Sequence, residues 1–304
     1  MWSTADAIRR AQVAGIVVPA FNAPYLPMIE PLIRAVIDQD AFALIETARL
    51  EWLKFESVGP AAVMAEFERW ADLDHVRLHL DHVPAIDEDD LAVDYMPIFE
   101  QAIVLGYGSV MIDGSRLSLQ DNIRVTRQVV EMAHRAGIPC EAELGAVLGH
   151  EAGPLPPYEE LFASGKGFTD VQEAARFVRE TDCDWLSVAV GNIHGAISGA
   201  AKAQAKIETR LNLEHLDRLR QATGIPLVLH GGSGVQHASL LAAIPRGIVK
   251  VNVAAEIRRA YEVAVATSDV EEAQMAVYAR TSELLRRYFG VAGKRKIAAE
   301  EGVP

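Results

Sequence analysis

The sequence predicts an α/β chain folded as a single-domain (β/α)8 TIM barrel over residues 1–304. Three observations predict it. Eight short β-rich runs alternate with longer helix-period stretches, in the order and total length that such a barrel needs. Each run is mostly apolar and ends in polar or glycine residues, as parallel strands do when both faces are buried and functional groups sit at their C-terminal ends. The first run is not followed by G-x-G-x-x-G, so the doubly wound open sheet lacks its usual signature.

The predicted strands are IVVPAFN (16–22), FALIETA (42–48), VRLHLDH (76–82), SVMIDGS (109–115), PCEAELG (139–145), WLSVAVG (185–191), PLVLHGG (226–232) and GIVKVNV (247–253). Between them the spacing predicts helices. Residues 122–136 place Ile123, Val125, Val129, Val130, Met132 and Ala133 at helical intervals and stop at Gly137. Residues 169–181 open with Thr169 as N-cap and Glu173 in the first turn. Residues 212–223 end at Gly224-Ile225-Pro226. Two connections, 146–168 and 192–210, are too long for ordinary βα loops and follow strands on the face where barrel chemistry sits, which predicts active-site lids. Residues from about 290 to 304 read as a charged, solvated tail.

Composition narrows the function. Half of the chain is hydrophobic and 23% is charged, a balance that suits a packed globular core. Lys plus Arg number 29 against 42 Asp plus Glu, a formal net charge of -13. So acidic a chain predicts no nucleic acid and no membrane among its partners, since both need basic surface. Cys140 and Cys183 read as buried thiols in a reducing compartment. The run after Arg9 and Arg10 is short and broken by Pro19, so no signal or membrane segment is read and the cytoplasm is expected.

Three histidines end predicted strands or directly follow one: His82, His194 and His230. On one barrel rim they would form a catalytic zinc arrangement, three imidazoles with a position left open for a substrate oxygen. Asp81, beside His82, reads either as the acceptor that orients an imidazole or as a general acid/base. The glycines at Gly195 and at Gly231, Gly232 and Gly234 suit a turn whose backbone N–H groups hold phosphate.

The segments LHLDH (78–82), GYGSVMIDGS (106–115), GIPCEAELG (137–145), GNIHG (191–195), LHGGSG (229–234) and KVNVAAEIR (250–258) together resemble the class II, zinc-dependent ketose-bisphosphate aldolases, which include fructose- and tagatose-bisphosphate aldolases. The resemblance runs in order from Ile16 to Tyr261. It implies a lyase that cleaves a phosphorylated ketose reversibly into a dihydroxyacetone-phosphate-like ketone and an aldehyde, through an enediolate stabilised by zinc or another divalent metal. It implies zinc ligands at His82, His194 and His230, with catalytic roles for Asp81 (the hydroxyl proton) and Glu151 (the carbon-bound proton). Substrate contacts are implied at Asn22, Gly195, Gly231, Gly232, Ser233, Asn252, Ala254, Ala255 and Arg258. Asp113 and Glu143 fall at a second or alternate metal position, or serve the hydrogen-bond network there. A monovalent cation, a sugar or sugar-phosphate substrate and a homodimer or homotetramer complete what the resemblance implies.

The sequence departs from the family where substrate is touched. Val83 follows His82 in place of glycine, Ala152 follows Glu151 in place of aspartate, and Ser198 and Gly199 stand where a lysine is usual, with Lys202 displaced. The last strand usually ends with a threonine, whereas here Ala254 and Ala255 precede Glu256, and a serine in the second strand is replaced around Thr47 to Arg49. Losing one neutral and one charge-assisted hydrogen bond costs about 1 and about 1.5–3 kcal/mol. A metal aldol centre with a retuned pocket is therefore expected, with Arg258 or Arg49 left for the distal group. A metal-dependent isomerase or epimerase, and a non-catalytic metabolite-binding relative, are the competing readings.

Overall fold

A computed structural model describes residues 2–145, 157–193 and 208–299. Among them β1 (Val18–Asn22), β2 (Ala43–Ala48), β3 (Val76–Pro84), β4 (Ser109–Asp113), β5 (Cys140–Leu144), β6 (Trp185–Val188), β7 (Leu227–Leu229) and β8 (Ile248–Val253) close into a barrel in sequence order. All neighbours are parallel, and β1 pairs with β8 to complete the ring. Helices cover the outside. The (β/α)8 architecture predicted from the alternating runs is the one observed.

Side chains alternate between the two faces of each strand. Outward residues such as Phe21, Ile45, Leu80, Ile112, Leu186 and Val251 pack under the helices. Inward residues Val18, Ala20, Leu44, Trp185 and Val228 form a separate apolar cluster at the N-terminal end of the barrel. The helix Thr4–Ala14 caps that end with Ala7, Ile8 and Ala11. Its start is fixed by a capping box between Ser3 and Asp6, and its end by Gly15 at φ 65°.

Three expectations change. The helix expected from Thr169 has Asp170 as its N-cap and spans Val171–Thr181. Thr169 Oγ1 instead donates to Leu144 O (2.5 Å) and accepts from Ala189 N (2.9 Å), tying the ends of β5 and β6 together. Asp170 wins the cap because its carboxylate accepts from both Gln172 N and Glu173 N. The helix expected over 122–136 starts earlier, at Leu119, because Ser118 caps it. Part of the stretch read as a solvated tail forms the helix Arg295–Ala299, whose Ala298 joins the cluster at the closed end of the barrel. Arg295 Nε pairs there with Asp40 at 3.0 Å. The cap Asn212 and the stop at Gly224 of the helix Leu213–Thr223 are as expected. No helix among the described residues is long and apolar enough to cross a membrane.

Candidate active site at the C-terminal rim

Asp81 and His82 are consecutive, and a regular strand would send them to opposite faces. β3 avoids this with a bulge. Leu80 pairs with Val110 and Val83 with Ile112, so two residues of β3 oppose one of β4. His82 sits at φ 29°, a conformation that side chains other than glycine seldom adopt. The bulge brings both side chains to the mouth of the barrel, a placement for which the backbone strain is retained.

At the mouth, His82 Nε2 and His230 Nδ1 face each other at 2.6 Å. Each ring has a carboxylate at its other nitrogen. His82 Nδ1 lies 3.2 Å from Asp113 Oδ2, and His230 Nε2 lies 2.8 Å from Glu141 Oε1. A carboxylate at the far nitrogen draws the ring proton to that side and so frees the facing nitrogen to ligate a metal; at 2.6 Å the two facing nitrogens are at hydrogen-bond distance, which needs a proton on one of them. Two imidazole nitrogens turned toward one another are two of the three protein donors that a catalytic zinc takes, so these residues fit the metal as part of its ligand set. Ligand atoms of Asp81, His82 and His230 all lie within 4.8 Å of one another, as do those of His82, Asp113 and Glu143.

Asp81 is buried and its carboxylate is fully engaged. Asn22 Nδ2 donates to Oδ2 at 2.9 Å and Asn252 Nδ2 to Oδ1 at 3.0 Å. Burial raises the Asp81 carboxyl, but His82, Lys250, His230 and His79 outweigh it and hold the group below its ordinary value. The site thus presents an ionised acid whose orientation two amides fix. Asp113 accepts from Ser115 N (2.9 Å) and Ser115 Oγ (2.6 Å) besides facing His82. Glu143 accepts from Ser187 Oγ at 3.2 Å and lies 3.5 Å from His230 Nδ1.

Beyond His230 the chain turns at Gly231 (φ 67°) into the short 3-10 turn Gly232–Gly234. Tyr288 Oη shares its one proton between Gly232 O (2.9 Å) and Val235 O (2.7 Å), pinning the turn from outside. Asn192 Nδ2 donates to His230 O at 3.1 Å and so links the ends of β6 and β7. Ala254 is the N-cap of the helix Ala255–Thr267 and offers it no side-chain bond. Arg258 reaches Glu262 at 3.0 Å and lies over the Phe55 ring, while Arg49 pairs with Asp87 at 3.3 Å. Both candidate anion-binding arginines therefore already have carboxylate partners. His194, Gly195 and Glu151, with the Ala152, Ser198, Gly199 and Lys202 departures, lie outside the described residues, as does the Ser233 side chain.

Two features escaped the sequence reading. One is a buried band of Glu46, His79, Glu141 and Lys250 beneath the mouth. Its signal was available: charged residues at inward positions of otherwise apolar strands. The other is Glu51, 6% exposed, whose Oε2 accepts from Ala48 N at 2.9 Å. Burial pushes Glu51 up to about 8 from its ordinary 4.5. Between these values the folded chain keeps a proton that the unfolded chain has lost. Its contribution to stability is full below about 4.5 and is lost as pH rises through about 8. Glu51→Gln, permanently neutral, is expected to unfold at a higher temperature than the parent at pH 9, by the equivalent of ~1–3 kcal/mol. The advantage vanishes at pH 4. An equal difference at both pH values, by thermal unfolding, would contradict this assignment.

The family model described as "Fructose-bisphosphate aldolase class-II" matches residues 2–296. Over 206 residues, 66% of this chain and 69% of the relative, the sequence is 40% identical to the Escherichia coli K12 protein YdjI. It is 33% identical over 257 residues to a fructose-bisphosphate aldolase of Streptococcus pneumoniae, covering 84% of this chain and 78% of that one. The crystal structure of the E. coli YdjI aldolase superposes with a TM-score of 0.75 at 28% identity, over 97% of this chain and 100% of that chain.

Proposed function

The chain belongs to the class-II fructose-bisphosphate aldolase family, and on that premise we propose how this lyase uses its site. The reaction is reversible cleavage of a phosphorylated ketose into a dihydroxyacetone-phosphate-like ketone and an aldehyde, in a pocket altered from that of fructose-bisphosphate aldolase. The observation that carries this reading is the convergence of His82 Nε2 and His230 Nδ1 at 2.6 Å, each with a carboxylate behind it and Asp81 alongside.

His82 and His230, with His194 as the third ligand, would hold the ion, and zinc is the ion proposed. When bound, the metal supplies Lewis-acid stabilisation of the charge that builds on the ketone oxygen. Asp81 takes the proton of the hydroxyl on the carbon that becomes the aldehyde, as the adjacent carbon–carbon bond breaks. Its two amide partners aim it for that transfer, and the charges around it keep it ionised. Glu151 returns a proton to the carbon left behind. Asn252 Oδ1, buried with no hydrogen-bond partner among the described residues, is suited to accept a substrate hydroxyl. Asp113 orients the His82 ring in this scheme, and Glu143, beside the metal-facing nitrogen of His230, stands at a second or alternate metal position. A homodimer or homotetramer in the cytoplasm belongs to the same proposal. The buried free thiols Cys140 and Cys183 are consistent with a reducing compartment.

The phosphate rests on the backbone of Gly231 and Gly232 and on Ser233. A Cβ on Gly232 would overlap Val251 Cγ1 and sit 3.0 Å from Asn252 O. Gly232→Ala is therefore expected to displace the turn and weaken affinity for a phosphorylated substrate about 10-fold, roughly 1.4 kcal/mol. Steady-state KM for phosphorylated and unphosphorylated ketoses separates the two cases. An unchanged ratio would remove the turn from phosphate binding.

The retuned pocket rests on Ala254 and Ala255, which lack hydroxyls, and on Arg49 and Arg258, which a phosphate must win from Asp87 and Glu262. A retro-aldol screen of phosphorylated and unphosphorylated ketoses, with zinc and after chelation, tests the whole reading. Release of a shorter aldehyde that stops on chelation is expected, with kcat/KM on fructose 1,6-bisphosphate below about 10⁴ M⁻¹s⁻¹. A single product retaining every carbon would make the protein an isomerase or epimerase. Ordinary enzyme-level turnover of fructose 1,6-bisphosphate would end the retuning proposal.

A further inference from the structure

Beneath the metal-facing nitrogens the barrel encloses Glu46 from β2, His79 from β3, Glu141 from β5 and Lys250 from β8, each 0% exposed. Lys250 Nζ lies 2.7 Å from Glu46 Oε1 and 2.9 Å from Glu141 Oε2. The other oxygen of Glu141, Oε1, lies 2.8 Å from His230 Nε2. His79 stands beside both carboxylates, with Nε2 at 3.8 Å from Glu46 and 3.7 Å from Glu141, and its Nδ1 is 2.7 Å from Ser109 Oγ.

Stability is a poor reason for this layer. Barrel interiors are ordinarily filled by branched apolar residues, and replacing a buried ion pair with well-packed apolar groups is often neutral or stabilising. The geometry has a direction instead. Glu141 divides its oxygens, one toward Lys250 below and one toward a metal-facing histidine above. A carboxylate with only one anchored oxygen can rotate; with Oε2 tied to the ammonium, Oε1 is left pointing at His230.

We propose that Lys250, steadied by Glu46, is a positioning residue for the metal centre: it anchors Glu141 so that Glu141 accepts the N–H of His230 Nε2, leaving Nδ1 as the nitrogen that binds metal. A neutral imidazole carries one ring proton, and the acceptor it finds decides which nitrogen holds it. The choice of ligand atom at the top of the barrel is thus made by a charge in the layer below, acting through Glu141. The proposal rests on the metal reading above.

The test uses metal-free full-length protein, zinc titration against a chromophoric chelator, the visible spectrum of the cobalt(II) form, and thermal unfolding without metal. One variant combines Lys250→Met with Glu46→Gln, removing both charges of the pair together. The other is the near-isosteric Glu141→Gln. In both, the zinc dissociation constant is expected to rise about 10–100-fold and the cobalt bands to shift, while the metal-free forms unfold close to the parent temperature. A folded variant with zinc affinity within about threefold of the parent and an unshifted cobalt spectrum would overturn the proposal, because a merely structural layer moves only the unfolding temperature. If the double variant does not fold, Glu141→Gln alone decides by the same criteria. A parent chain that binds no divalent ion overturns the metal reading together with this proposal; a parent that binds zinc, with unaffected variants, overturns this proposal alone.

Discussion

Asp81→Ala is expected to lower kcat for aldol cleavage by about 10³-fold, within the 10²–10⁴ range of a positioned acid/base, while leaving KM and the zinc content close to the parent's. The expectation follows from the division of labour at the bulge in β3. His82 projects a ring nitrogen toward His230, whereas Asp81 has both oxygens occupied by the amides of Asn22 and Asn252. Those two bonds aim the carboxylate, and the surrounding histidines and Lys250 keep it ionised against the cost of burial. Removing it deletes the base and frees the two amides without touching either ring. Asp81→Asn is a sharper variant. It preserves shape but sets a third amide against two donors, so it is expected to lose as much activity as alanine. Single-turnover release of the aldehyde fragment, with metal content measured on the same samples, gives the answer. Activity within about tenfold of the parent in both variants would mean that the proton goes elsewhere and that Asp81 merely orients a ligand.

The architecture was legible because barrel strands advertise themselves twice, by apolar runs and by the polar or glycine residues that end them. The strand-end histidines were legible for the same reason: His230 directly follows β7 and His82 lies at the end of the run VRLHLDH. What stayed hidden depends on pairing and not on composition. That Asp81 and His82 share the barrel mouth requires the register slip between β3 and β4, and no local pattern announces it. Thr169 and Asp170 are both good caps, and the choice fell to Asp170 because the Thr169 hydroxyl was needed between Leu144 and Ala189. The helix Arg295–Ala299 looks solvated in sequence because its burial comes from the distant helix Thr4–Ala14. The inward charges of β2, β5 and β8 could have been found. Glu46, Glu141 and Lys250 each interrupt an apolar run at an inward position, and a charge enclosed by a barrel needs partners at the same level.

His230→Ala should be as damaging as the loss of Asp81, for a different reason that the assay can recognise. His230 is where the two parts of the site meet: Nδ1 faces His82 and Nε2 faces Glu141, which in turn holds Lys250. Alanine removes one metal donor and at the same time leaves Glu141 Oε1 without its ring partner. Activity is expected to fall by about 10³-fold or more, the scale of losing the principal electrostatic stabiliser of the developing charge. Zinc should no longer copurify. Chelation of the parent ought to reproduce the activity loss, and added zinc should restore the parent but not the variant. Asp81→Ala, by contrast, keeps its zinc and gains nothing from more. Inactivity with full zinc content in His230→Ala would show that the ion is held without this ring, and inactivity rescued by added zinc would reduce His230 to a contributor to affinity. An active chelated parent would place the chemistry outside the metal altogether. Each outcome is read from two numbers, metal per chain and turnover. Together they distinguish a base that moves a proton from a ring that holds the ion.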